Sequence, residues 1–404
     1  MSLVRDASLR LIYDSRGRPT VEARVVTEQG AIGTAGAPSG ESTGATEVQA
    51  FPAGGVPEAI QRFDQDLRPR LLALDVDRQS EVDAVLHDVD GSANFSRLGG
   101  NTATAVSIAC AIARAGERRI PLWSSLIRPG LDGTSYPAIV GNCLNGGRHA
   151  IGGPEIQEYH AIAEAHKPAD SIRAALEVHH AVGKRLKAKF PTAALGRGDE
   201  GGWVAPLGNV EALELLAESC AEVRDRLATP VYPGLDLAAS EFFREGKYVY
   251  RERSLDTDGQ VAFVAELVDR FGLHYLEDPI QEGDFDGFTA MTKAVGRRVL
   301  VVGDDIYTSA KPRVAEGVRR QASNAVLIKV NQVGTLTDTI ETVDLARTSG
   351  WKTITSHRSG ETPDGWLAHL AVAFGSAGLK CGLLGGERVA KLNELLRLAT
   401  PPGN

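Results

Sequence analysis

The sequence predicts an α/β protein in which a barrel of strands and helices follows a smaller α+β unit. Two observations carry this. Asp236, Glu277, Asp304, Lys329, His357 and Lys380 stand at intervals of 41, 27, 25, 28 and 23 residues, most of them ending a short apolar or β-branched run such as GLD, LHYLED, VLVVGDD, AVLIKV or TITSHRS. Each interval is close to one strand, one helix and two loops, so each residue caps a successive parallel strand. In a (β/α) barrel such ends converge on one face, and that face carries the chemistry. The second observation is a change of pattern near residue 135, from mixed strand and helix runs to strand–helix alternation.

In order along the chain, LRLIYD, PTVEARVV and AIGTAGA read as three strands of an antiparallel meander. Val21, Ala23 and Val25 alternate with Glu22 and Arg24, and a turn falls at Gln29-Gly30. The loop Pro38-Ser39-Gly40-Glu41-Ser42-Thr43-Gly44 follows, then helical stretches near 56–74, 79–88 and 101–116. In the second part, Val178, Val182 and Leu186 align on one helix, and Val264, Leu267, Val268 and Phe271 on another. The stripe Leu213, Leu216, Cys220, Val223 and Leu227 marks the buried face of a third.

A chain of 404 residues with 43% hydrophobic content buries a large core and divides into two domains. The 44 basic and 52 acidic residues give a net charge of -8 with no basic run, which excludes nucleic acid as the partner. Cys110, Cys143, Cys220 and Cys381 form no CxxC pair and are read as reduced thiols. No apolar leader or 18-residue apolar window is present, so the expectation is a soluble cytoplasmic protein without a membrane partner.

One acid after one strand is ordinarily a loop residue or a helix cap. Three on one face offer hard oxygen ligands that suit Mg²⁺ and leave positions for substrate: Asp236, Glu277 and Asp304. Lys329 lies in an apolar run, where it is either ion-paired to one of these acids or a general base with its pKa lowered by burial and nearby cations. Gly198-Asp199-Glu200-Gly201-Gly202 sets two acids between glycines. Ser356-His357-Arg358-Ser359-Gly360 combines a forked cation with hydroxyls, a suitable arrangement for an oxyanion such as phosphate. Asn145-Gly146-Gly147-Arg148-His149 and Gln157-Glu158 add another histidine and another acid.

With DSRGRPTVEARV, APSGESTG, LNGGRHA, QEY, GDEGG, GLDLAASEF, LEDPI, GDD, IKVNQVGTLT, SHRSGET and ERVAKLNELLR in this order, the chain resembles the enolase family almost end to end. The resemblance implies an enolase-type modified TIM barrel, ββαα(βα)₆, over residues 131–404, with an N-terminal α+β capping domain over 1–130. It implies elimination of water from 2-phospho-D-glycerate or a close analogue. Asp236, Glu277 and Asp304 then hold one Mg²⁺, and a second arrives with substrate and meets Ser42. Lys329 becomes the base, Glu200 with Glu158 the acid, and His357 a further catalytic group. Lys380 holds the substrate carboxylate, Arg358 and Ser359 the phosphate, and His149 and Gln157 line the closed pocket. The resemblance also implies a homodimer or higher homo-oligomer, with Glu22 and Arg397, and Arg10 and Glu387, at positions that pair across the family's interface.

Several loops depart from the family pattern. Glu41 replaces an Ala in the lid, and Thr46 stands where a His is expected. The GDEGG loop continues as Trp203-Val204-Ala205-Pro206-Leu207, with one residue inserted and an Asn lost. The stretch after Lys380 is shorter, His160 follows QEY in place of Met, and His369 replaces an Asp. Altered loops around intact chemical groups raise a second reading, a phosphonylated hydroxy-acid substrate as in carboxyphosphonoenolpyruvate synthase of phosphinate antibiotic biosynthesis. A third, a non-catalytic enolase-derived binding protein, is disfavoured by retention of Lys329, Glu200 and all three carboxylates.

Overall fold

The computed structural model describes residues 2–40, 44–150 and 152–400, the side chain of His149 excepted. Strands β1 (Val4–Tyr13), β2 (Pro19–Thr27) and β3 (Ile32–Gly36) form the expected antiparallel meander, with Ala23 against Leu9 and Ala35. Alternation decides its faces: Val21, Ala23 and Val25 are buried against the long helix that follows.

That helix is one of five in the capping unit: α1 (Gly55–Arg62), α2 (Arg68–Leu71), α3 (Gln79–Asp90), α4 (Gly100–Arg118) and α5 (Leu122–Leu126). A π-helical turn at Phe63–Leu67 joins the first two and turns Phe63 and Leu67 into the core. Between α5 and the first of the six spaced residues run β4 (Ala138–Asn145), β5 (Glu158–Ala163), α6 (Pro168–Lys189), the short hairpin β6 (Gly196–Arg197) and β7 (Trp203–Val204), and α7 (Asn209–Leu227). The Cys220 stripe lies on α7, where Leu213, Leu216, Cys220 and Val223 are buried.

Then comes β8 (Val231–Asp236), a small sheet of β9 (Phe243–Arg244), β10 (Lys247–Val249) and β11 (Ser254–Leu255), and after them five strands alternating with helices. These are α8 (Thr257–Phe271), β12 (Tyr275–Glu277), α9 (Phe285–Val295), β13 (Leu300–Gly303), α10 (Lys311–Arg320), β14 (Ala325–Ile328), α11 (Val330–Val333), α12 (Leu336–Thr348), β15 (Lys352–Ser356), α13 (Trp366–Ala373), β16 (Gly378–Gly382) and α14 (Gly386–Ala399).

Among the described residues eight strands close a barrel in the order β16-β15-β14-β13-β12-β8-β5-β4, sealed by pairing of β16 with β4. The six from β8 onward run parallel, whereas β5 is antiparallel to both neighbours. This is the expected ββαα(βα)₆ order. Inside the barrel Val140, Ile162, Tyr275, Val302, Leu327 and Ile354 pack as one buried apolar cluster. The capping unit is tied to those ends by a backbone bridge between Ser39 and Gly360 and by Asn331, whose amide donates to the Pro38 carbonyl at 3.0 Å. No helix among the described residues is long and apolar enough to cross a membrane.

Candidate active site

The regular βα repeat delivers the six spaced residues to one face. Asp236 and Glu277 end β8 and β12 as register partners, and Asp304, Lys329 and His357 directly follow β13, β14 and β15. Lys380 lies within β16 opposite Ser356. Glu158 reaches the same face for a different reason: β5 runs backwards, so its first residue pairs with the last residue of β8.

One cavity of about 30 Å³ is lined by every expected site residue whose side chain is described, except Glu277, which lies behind Lys380. Ser42 lies outside the described residues, as does the His149 side chain, so neither is placed.

The two lysines divide the acids. Lys380 Nζ lies 2.9 Å from Asp236, 2.7 Å from Glu277 and 3.0 Å from Glu158. Burial alone would lower its pKa, but these carboxylates hold it well above the ordinary lysine value. Glu277, buried and next to Asp236, is pushed well up and also accepts the Tyr275 hydroxyl. Lys329 Nζ contacts Asp304, which in turn accepts from Gln332 Nε2 at 3.0 Å. The expectation that burial and cations lower the Lys329 pKa is corrected here. Burial, the largest single influence, and the nearby Arg358 and Lys380 act downward, but the negative charges around the ammonium, Asp304 first and Glu277 with it, leave the net direction upward. Asp304 itself, raised by burial but lowered by Lys329, ends below its usual range.

Asp278 braces this edge by accepting from the backbone N–H groups of Asp304 and Asp305 at 3.0 and 2.8 Å. Burial, then the Asp304 charge, pushes Asp305 up to about 8.

Across the cavity the acid side is assembled from distant segments. Glu200 Oε2 lies 3.1 Å from His357 Nε2, and Asn142 Nδ2 donates to Glu158 at 3.1 Å and to Glu200 at 3.4 Å. Arg388, fully buried, donates to His357 Nδ1 at 2.7 Å and to the carbonyls of Arg358 and Ser359, both at 2.6 Å. An arginine only donates, so the proton of His357 sits on Nε2, facing Glu200. Burial lowers the His357 pKa and keeps the ring neutral. Glu200 is pushed up by burial and Glu158 and down by His357, and ends below its usual value, as a carboxylate.

At the oxyanion end, Glu47 grips Arg358 by two contacts of 3.0 and 3.2 Å, and Asn331 accepts from the same guanidinium at 3.0 Å. Arg16 Nη1 donates to Ser359 Oγ at 3.4 Å. Thr46, in the place of the expected His, bonds Thr308 Oγ1 at 2.7 Å. Two residues beyond Leu207, where the family's Asn is lost, Asn209 Oδ1 accepts from the Ile156 amide at 3.1 Å.

Sequence reasoning missed Glu47, Asn142, Asp278, Asp305 and Arg388. Arg388 and Asp278 lie inside quoted motifs, ERVAKLNELLR and LEDPI, but nothing local marks them as site residues. The pairs Arg10–Glu22 and Arg397–Glu394 form within the chain, so the charges read as interface markers have partners in their own protomer.

A divalent cation fits this donor set. The carboxylates supply hard oxygen, the preference of Mg²⁺, and the ammonium of Lys380 shows three of them already gathered around one cation. Among the described residues two groups could hold an ion, Glu158 with His160 and Asp236, and Asp278 with Asp304 and Asp305; each contains one member of the expected set, and Glu277 is in neither.

Residues 134–403 match the family model described as Enolase, C-terminal TIM barrel domain, and residues 4–126 match Enolase, N-terminal domain. A protein of Methanothermobacter thermautotrophicus named Enolase is 46% identical over 403 residues, 98% of this chain and 96% of its own length. Proteins of the same name from Thermoplasma acidophilum and Haloquadratum walsbyi are 43% and 42% identical, covering 98% and 99% of this chain and equal shares of their own.

Proposed function

The chain belongs to the enolase family, and on that premise we propose that it removes water from 2-phospho-D-glycerate, with Mg²⁺, to give phosphoenolpyruvate. It is a carbon–oxygen hydro-lyase of glycolysis. The observation that carries the reading is the division of one cavity between two lysines with their acids and the Glu200–His357 pair.

The roles follow from that division. A proton next to a carboxylate is very weakly acidic, and concentrated positive charge makes its removal feasible. Enolase-superfamily sites share a lysine or histidine base beside one or two Mg²⁺, so the type of base is a property of the superfamily rather than of this geometry. Lys329 takes the α-proton once its ammonium has shed its own proton. Lys380 holds the substrate carboxylate. Asp236, Glu277 and Asp304 would hold Mg²⁺, which when bound would stabilise the negative charge that develops on that carboxylate. Ser42, outside the described residues, would help hold a second Mg²⁺ that accompanies substrate.

On the opposite side Glu200, a carboxylate at rest, takes up a proton from solvent and delivers it to the departing hydroxide. Glu158, coupled to it through Asn142, and the Nε2–H of His357 keep that carboxyl oriented. Arg358 and Ser359 receive the phosphate, with Gln157 and His149 closing the pocket. The exposed Leu11, Tyr13 and Ile32 on β1 and β3 support assembly as a homodimer, and the phosphorylated substrate supports a cytoplasmic site of action.

The carboxyphosphono alternative gains no support, since the relatives above are named Enolase and cover the chain nearly end to end. The test is incubation of the pure protein with 2-phosphoglycerate and Mg²⁺ while enolpyruvate absorbance is followed. Rapid, Mg²⁺-dependent formation is expected. No turnover of 2-phosphoglycerate, with turnover of the carboxyphosphono analogue, would overturn the reading.

A further inference from the structure

Glu200 sits on a segment that the chain makes soft. Gly198, Gly201 and Gly202 surround it, Gly201 adopts φ +83°, and the five residues form the tip of the two-residue-per-strand hairpin β6–β7. Glycine loses more conformational freedom on ordering than any other residue, so such a tip needs external anchors to hold a carboxylate in place. One side has them in Arg16, 3.1 Å from Asp199, and in Arg388, which donates to the Asp199 carbonyl at 3.3 Å.

The other side is anchored from outside the barrel. His179 of α6 is fully buried, and its Nε2 lies 2.9 Å from the carbonyl oxygen of Gly201. A carbonyl only accepts, so Nε2 carries the proton. Trp203 completes the connection: its indole N–H donates to the His179 carbonyl at 3.1 Å, and its ring stacks on the imidazole with centroids 5.6 Å apart and planes 29° from parallel. Arg197 covers the indole at 4.8 Å. Helix α6 admits the ring only because residue 183 is glycine, since a Cβ there would lie 2.5 Å from the indole.

We propose that His179 and Trp203 are positioning residues for Glu200, a clamp on α6 that holds the acid against His357 and Asn142 without touching substrate. The inference rests on the reading of Glu200 as the acid. Burial lowers the His179 pKa to about 4, so the ring stays neutral and the clamp stays closed across the ordinary assay range.

The test separates the two halves of the reaction. Native protein, His179→Ala, His179→Gln and Trp203→Phe are compared for exchange of the 2-phosphoglycerate α-proton with solvent and for formation of enolpyruvate, with Mg²⁺ throughout. Displacement of an acid by about 1 Å costs up to about 100-fold. His179→Ala is therefore expected to slow elimination by roughly 10- to 100-fold at unchanged KM, with exchange at the native rate. His179→Gln, whose amide can still donate to the Gly201 carbonyl, recovers most of the loss, and Trp203→Phe shows a smaller loss of the same kind.

Exchange and elimination falling together in the folded variants, or neither falling, would overturn the clamp. Circular dichroism identifies a misfolded Ala variant, and the Gln and Phe variants then decide by the same ratio. Native protein that neither exchanges nor eliminates would instead overturn the functional reading itself, and the clamp with it.

Discussion

The base side and the acid side of this site are built by opposite means. Asp236, Glu277, Asp304, Lys329 and Lys380 lie in or directly after barrel strands, and the βα repeat sets their places. Glu200 and Arg388 come from a glycine-rich hairpin tip and a helix, and side-chain contacts over long sequence separations bring them to Glu158 on the reversed strand and His357 after β15. Strand ends are rigid through the ladder beside them. A loop tip is only as rigid as its anchors. The base side is therefore expected to tolerate remote substitutions that misplace the acid.

The comparison can be broken or sharpened in order of effect. Lys329→Ala removes the base and is expected to reduce α-proton exchange by up to roughly 10⁴-fold; exchange at the native rate would return the lysine to a purely structural ion pair with Asp304. Removing Mg²⁺ by exhaustive chelation is expected to abolish turnover, restored on adding it back, and undiminished turnover in chelator would break the metal assignment. Glu200→Gln should separate the sides, with exchange retained and enolpyruvate formation down by roughly 10²- to 10⁴-fold.

Arg388→Met removes a buried cation that satisfies His357 and two carbonyls, and a loss of about 3–5 kcal/mol in denaturant unfolding is expected. A loss within about 0.5 kcal/mol, the range of an ordinary surface substitution, would show that the acid side has other supports.

The smallest effect concerns acid. His179 has a folded-state pKa of about 4 against an ordinary 6.5, so the unfolded chain binds the extra proton between those values. Its contribution is full above about pH 6.5 and is lost as pH falls toward 4. The drop corresponds to about 3 kcal/mol as an upper order of magnitude. Melting curves from pH 7 to 4 should show this decline, and His179→Gln should flatten it.

Much of the base side was legible because a strand followed by a charged residue is a local pattern that repeats at the length of a βα unit. The meander, the α7 stripe and the six strand ends were all read this way. The direction of the Lys329 pKa was not, because it depends on the balance between burial and several charges, Asp304 first among them, that meet only at the strand ends. Glu47 and Asn142 escaped notice for a related reason. Neither ends a periodic run, and each matters only through what the fold places beside it: Arg358 for Glu47, and Glu158 with Glu200 for Asn142.

By itself, the sequence determined which charged groups stand at the strand ends and in what order, because hydrophobic periodicity and turn chemistry act over a few residues. Only the tertiary structure decided their partners. Lys380 meets Asp236 across 144 positions, and Arg388 meets His357 across 31, when β16 closes on β4 and α14 packs behind it. Charges come from the chain, but in a buried site their energies depend on distance and desolvation, and both exist only once the barrel has closed.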